Sequence, residues 1–203
     1  MDSQPLPTEL VIPHGDAELI CRLPALRDVP AIVEACQDPE IPRWTRVPTP
    51  YGIEQGRGFV EFSLSSWGDR RGLELLMTPG EGHPLAHLPL LGACDARLDW
   101  AGEQASAGYW IHAEARRHGV AKAALGGICR WLLDLGFKRV EAAVLVGNVG
   151  SCRTLESVGF QLEGTRRSLA AGHCGVGADR HDQHTFGLLP DEFLDPASGR
   201  LSG

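Results

Sequence analysis

The sequence has no excess of positive charge, no paired cysteine spacing, no apolar run long enough to cross a bilayer and no internal repeat. Each absence removes a class of protein. Nineteen Lys and Arg against 26 Asp and Glu leave a formal charge of −7, which argues against a general binder of nucleic acid or of an anionic membrane, because those carry a basic face. Contact with a basic protein stays open. Cys21, Cys36, Cys94, Cys129, Cys152 and Cys174 are scattered, and several fall inside expected helices or strands, where a small buried thiol packs well. That usage fits a reduced protein. The opening Met1-Asp2-Ser3-Gln4-Pro5 has neither a charged n-region nor an apolar core, and no stretch has spanning length, so a cytoplasmic protein with no membrane partner is expected.

A chain of 203 residues with 43% hydrophobic content can build one substantial core. Its most informative stretch runs from Tyr109 through His112 and Gly119 to Lys122. It begins rich in aromatic and β-branched residues and ends where a long amphipathic pattern starts, which reads as strand, short turn and helix N-terminus. The first N–H groups of a helix lack internal partners, and the helix dipole places partial positive charge there. A phosphate would satisfy both. Gly119 permits close backbone approach, while Arg116, Arg117, His118 and Lys122 gather cationic or potentially cationic side chains in an otherwise acidic chain.

Residues 1–16 hold three prolines and little periodicity, the pattern of an arm ordered only if it docks. A single domain is expected over 17–190 and a polar tail over 191–203. Strands are expected at 18–23, 72–77, 90–100, 105–112, 140–146, 160–169 and 180–189, with 140–146 apolar enough to be buried on both faces. Helical spacing marks 27–37, 53–67, 120–135 and a segment opening at Asn148. Residues 38–44 read as a rigid loop carrying Trp44, and 78–89 as an extended connection. Periodicity alone gives mixed α/β.

The order Arg116-x-x-Gly119-x-Ala121 after an apolar strand containing Gly108-Tyr109-Trp110 resembles the pyrophosphate motif of the GNAT superfamily, the coenzyme-A-dependent N-acetyltransferases. Gly147-Asn148-Val149-Gly150-Ser151 and Leu155-Glu156-Ser157-Val158-Gly159-Phe160 extend the likeness, which is closest to the ribosomal-protein N-terminal, or Rim-type, branch and covers about residues 18–190. The resemblance implies the GNAT fold, a mostly antiparallel mixed sheet of about seven strands with four helices, diverging at an acyl-CoA site. It implies acetyl-CoA as co-substrate, with no metal, and an amine acceptor, either a protein N-terminus or a small molecule. A homodimer is common in such relatives. By the same resemblance, backbone groups of Tyr109, Trp110 and Ile111 meet the pantetheine arm, with an Ile111 N–H polarising the thioester carbonyl. The pyrophosphate lies on Arg117, His118, Gly119, Val120, Ala121 and Lys122, with Arg116 holding the turn and Asn148 bonding the pantetheine. Trp44 and Ser106 fall on the acceptor side.

The sequence departs from the family at several places. Arg117 replaces a frequent glycine and His118 a frequent Arg or Lys. The position of the tyrosine acid used by some members is Leu155, so Ser151 is the expected hydroxyl at the leaving sulfur. A thiol near pKa 8.5 leaves as thiolate at a cost of about 2 kcal/mol at pH 7, which makes strong acid assistance dispensable. Ser106 stands where many relatives carry a glutamate base, and Glu103 reads as a solvated turn residue. Deprotonating an α-amine near pKa 8 costs about 1 kcal/mol at pH 7 against about 5 for a lysine, so a site without a strong base favours an α-amine. An aminoglycoside or other small amine, a succinyl donor, and a non-catalytic acyl-CoA sensor are the alternatives. His173, Cys174, Asp179, His181, Asp182 and His184 fit no zinc spacing and read as an ordinary strand and its connection.

Overall fold

A computed structural model describes residues 5–171 and 180–197. Its strands are β1 (Glu9–His14), β2 (Ala17–Arg22), β3 (Gly72–Pro79), β4 (Gly92–Asp99), β5 (Gln104–Ile111), β6 (Arg139–Leu145), β7 (Gln161–Ala171) and β8 (Arg180–Leu188). Its helices are α1 (Val29–Ala35), α2 (Glu40–Trp44), α3 (Ile53–Gly68), α4 (Val120–Asp134) and α5 (Val149–Glu156). One sheet runs in the order β1-β2-β3-β4-β5-β6-β8-β7. Every neighbouring pair is antiparallel except β5 and β6. A parallel pair requires a crossover, and α4 supplies it. No helix among the described residues is long and apolar enough to cross a membrane.

The class is the expected one, with two additions. Part of the N-terminal arm docks as β1, pairing with β2 from Glu9↔Arg22 to His14↔Ala17. Pro13 obscured this strand in the sequence, yet β1 is an edge, where a residue without an N–H is tolerated. Ile12 is buried against Gly127 of α4, where a Cβ would lie 2.4 Å from the isoleucine Cδ1. The second addition is α2, within the expected rigid loop. Asp38 Oδ1 accepts from the Glu40 N–H at 3.0 Å, an Asx turn that leads into the five-residue helix.

Val120, Ala124, Ile128 and Leu132 of α4 are fully buried beneath the sheet with Leu75, Met77, Val140 and Phe186. A second cluster of Val29, Ile32, Val60 and Leu76 seats α1 and α3 on the opposite face. β6 departs from expectation: Val140, Ala142, Val144 and Leu145 are buried, but Ala143 is exposed. Its composition is apolar, but beyond Glu141 its β5 neighbour has gone, so part of the strand faces an open cleft. Residues 191–197, within the stretch read as tail, fold back: the Leu194 N–H donates to Val158 O at 2.9 Å, and Arg130 pairs with Asp195 at 2.6 Å.

Candidate active site

β5 and β6 pair only at Gln104–Ser106 with Arg139–Glu141, then separate. The β4–β5 register is regular from Asp99↔Gln104 to Gly92↔Ile111, and the next residue, His112, donates its N–H to Leu91 O at 2.9 Å. Hydrogen-bonded residues alternate in an antiparallel ladder. Trp110 and Gly108 therefore spend their backbone groups on β4, while those of Ala107, Tyr109 and Ile111 point into the gap. The expectation for the Tyr109 and Ile111 backbones fits this geometry. That for Trp110 is corrected, since only its side chain faces the cleft. The gap belongs to a cleft of about 1020 Å³ lined by the sheet ends, α2, α3 and the starts of α4 and α5.

At one end of the gap lies the turn before α4. Arg117 and Gly119 both take left-handed φ, 64° and 80°. Such residues turn successive N–H groups toward one concavity, a nest for an anion. The φ of Arg117 explains why glycine is frequent there, and holding an arginine in that conformation costs about 1–2 kcal/mol. Arg116 pairs with Asp38 ahead of α2, tying this turn to the far wall. Arg117, Gly119, Val120, Ala121 and Lys122 line the cleft. His118 is outside that lining, and its carbonyl accepts from His14 Nε2 at 2.8 Å.

That bond ends a relay. The Leu85 N–H donates to His83 Nδ1 at 3.1 Å, which puts the His83 proton on Nε2. That nitrogen then donates to His14 Nδ1 at 2.9 Å, leaving the His14 Nε2–H for the turn. Burial, with His14 and His118 close by, holds the pKa of His83 below the ordinary histidine value. The unfolded chain takes up this proton below about pH 6.5 while the folded site resists, so the stability the relay confers is present above that pH and is lost as pH falls toward the folded pKa. Between pH 7 and pH 5.5, wild type should lose melting temperature that His83→Gln does not, as scanning calorimetry will show; an identical slope for both would remove the relay from the argument.

At the start of α5, the Asn148 side chain accepts the Ser151 N–H at 3.1 Å, so Asn148 caps the helix while lining the cleft. Ser151 Oγ lies 3.1 Å from the Tyr109 hydroxyl. Sequence reasoning assigned Tyr109 only a backbone role; the strand brings a phenol to the serine that the buried Leu155 could not supply. Burial raises the Tyr109 pKa, so the phenol keeps its proton.

Trp44 lines the other wall, its indole N–H bonded to Glu40 at 3.0 Å and its ring packed on Leu145 and Ala170. Ser106 is there too, while Glu103 is exposed on the β4–β5 turn. Sequence reasoning missed two carboxylates. Glu74 of β3 and Asp95 of β4 are direct cross-strand partners and both line the cleft. Burial first, then proximity to Asp95, pushes the Glu74 pKa up to about 7, and burial raises that of Asp95. The signal was a single charge inside Leu73-Glu74-Leu75-Leu76-Met77. On β8, Asp182 accepts from the Ser168 N–H at 2.8 Å and His184 bonds Thr165 at 2.9 Å. His173, Cys174 and Asp179 lie outside the described residues.

Residues 18–161 match the family model described as an acetyltransferase (GNAT) domain. No curated protein matches the chain. Among solved structures, the Microcin C7 self-immunity acetyltransferase MccE, in complex with acetyl-CoA and AMP, is similar at 20% identity over 86% of this chain and 93% of its own, with a TM-score of 0.75. Mycobacterium smegmatis RimJ, in complex with a CoA disulfide, gives 19% identity, 91% and 87% coverage and a TM-score of 0.74. RimL, a ribosomal L7/L12 alpha-N-protein acetyltransferase in complex with coenzyme A, gives 18%, 90% and 99%, and 0.75.

Proposed function

Because the chain belongs to the GNAT acetyltransferase family, we propose that its cleft transfers an acetyl group from acetyl-CoA to a primary amine, and that the preferred amine is a protein N-terminus, as in the Rim-type branch. The observation that carries this reading is an unpaired strand edge at Tyr109 and Ile111 leading straight into the left-handed turn at Arg117 and Gly119. An extended pantetheine adds to the edge through main-chain hydrogen bonds. The diphosphate rests on the turn and the α4 N-terminus. Acetyl-CoA suits this path, whose lining includes the small residues Ala107, Gly119 and Ala121 beside the exposed strand edge and the basic turn.

Acetyl-CoA supplies an activated acyl group as a thioester. This chain supplies the rest. The Ile111 N–H faces the gap as a donor for the carbonyl oxygen, where the loss of one such donor typically costs about 3–4 kcal/mol of transition-state stabilisation. The Tyr109 and Ser151 hydroxyls lie at 3.1 Å as a linked pair for the departing sulfur. An α-amine near pKa 8 lies about one unit from the Glu74 carboxyl at about 7, against more than three for a lysine, so the site suits the α-amine.

A thiol-release assay tests the acceptor. The panel is a peptide with a free N-terminal serine, the same peptide N-terminally blocked with an internal lysine, ethanolamine and an aminoglycoside, each with acetyl-CoA and succinyl-CoA. The free N-terminus with acetyl-CoA should turn over fastest. Faster turnover of the lysine peptide defeats the α-amine reading, and binding of acetyl-CoA with no turnover on any amine makes the protein a sensor.

A further inference from the structure

Glu74 is 5% exposed, on a strand whose other buried side chains are three leucines and a methionine. Its Oε1 takes a 3.3 Å bond from the Ser66 hydroxyl of α3, while its Oε2 is buried with no partner. A carboxylate rarely stays in such a place without a use, since an unpartnered buried charge is among the costliest features of a fold. Directly opposite on β4 is Asp95, which is half-buried and follows the same face of the sheet as Ser106, Gly108 and Trp110. Space is kept for it: a Cβ at Gly108 would lie 2.5 Å from Asp95 Oδ2. The cations whose fields reach the pair are Arg71 and Arg97 at Glu74, and Arg97 and Arg46 at Asp95.

We propose that this pair is the acceptor-ammonium subsite: the Asp95 carboxylate takes the proton of the incoming amine, and Glu74, behind it, is a positioning residue that shares that proton. The inference rests on the acetyltransferase reading above. Two carboxylates on adjacent strands cannot both ionise freely in a site of low dielectric, so the pair titrates as a unit holding one proton more readily than either alone. An entering R–NH3⁺ gives one proton to Asp95, breaking an N–H bond and forming an O–H bond. The freed lone pair then forms the C–N bond as the C–S bond breaks. The second proton leaves nitrogen for the departing sulfur, which keeps the electron pair of the broken bond. The proton on the pair returns to water when product leaves. Ser106 thus stands where a glutamate would duplicate a carboxylate that this chain supplies from the neighbouring strands.

The test uses the full chain and the fastest amine of the panel above. Asp95→Asn should lower kcat/KM for the amine about 100-fold or more, within the range for loss of a general base, with the calorimetric Kd for acetyl-CoA unchanged within twofold. Glu74→Gln should move the acidic limb of the kcat/KM–pH profile to lower pH, because the pair's higher-affinity proton, held by Glu74 at about 7, is lost with that carboxyl; a merely structural role would reduce stability and leave the limb in place. Gly108→Ala, which keeps both carboxylates but displaces Asp95, should lower kcat/KM about tenfold or more. Asp95→Asn with wild-type kcat/KM, or an unmoved limb in Glu74→Gln, overturns the proposal. A wild type that binds acetyl-CoA yet acetylates no amine, or that does not bind it, is a different result, for it strikes the acetyltransferase reading itself and the subsite falls with it.

Discussion

Gly119→Glu should abolish acetyl-CoA binding, giving only the heat of dilution in a titration that saturates wild type. Three effects add. Gly119 sits at φ 80°, where any other residue costs about 1–2 kcal/mol. A Cβ there would stand 3.2 Å from His14 Nε2, the atom that holds the neighbouring turn carbonyl, so the relay must give way. The new carboxylate would then occupy the N-terminal end of α4, where the diphosphate is proposed to lie, and like charges repel. Together these exceed roughly 3 kcal/mol, or about 100-fold in affinity. Collapse of the fold is not the expected cause, because an acidic residue at a helix N-terminus favours the helix. A folded Gly119→Glu protein with wild-type affinity would take the ligand away from this turn and remove the basis for the whole cleft assignment.

The parts of the site that could be read in the sequence are those whose chemistry is local. The anion turn is written in consecutive residues, because the strand end, the Gly119 stop and the α4 pattern follow one another without interruption. The helix start at Asn148 is equally local, since its cap bond spans three residues. Glu74 and Asp95 become one site only through the β3–β4 register, and Tyr109 meets Ser151 across 42 residues of chain. No window of sequence contains either pair. β1 was hidden for a different reason: Pro13 reads as a strand breaker, and only the knowledge that it lies on an edge reverses that reading. Trp110 was misassigned because a strand sequence does not say which residues face which neighbour; one bond, His112 to Leu91, settles the alternation for all of β5.

Glycine at position 92 has an effect as large as that at 119, and it acts on the fold and the cleft together. Gly92 opens β4 at φ 150° opposite Ile111, and a Cβ there would lie 2.2 Å from Trp110 O and 3.1 Å from Ile111 Cα. Both obstacles are backbone, which cannot swing aside as a side-chain end can. Gly92→Ala must therefore part β4 from β5 at the residue pair that aims the Ile111 N–H into the gap. Overpacking and backbone strain of this kind cost about 2–4 kcal/mol together. For a chain of this size that is a fall of roughly 5–15 °C in melting temperature. At a temperature where the variant is still folded, its affinity for acetyl-CoA should fall about tenfold or more, because the edge that pairs with the pantetheine has moved. Gly58→Ala is the control: it lies in α3 with nothing within 4 Å of the added methyl, so it should raise stability by about 0.5–1 kcal/mol and leave binding alone. Equal melting temperatures for Gly92→Ala and wild type would mean that β4 and β5 can separate at no cost, and that their contact does not hold the edge in place.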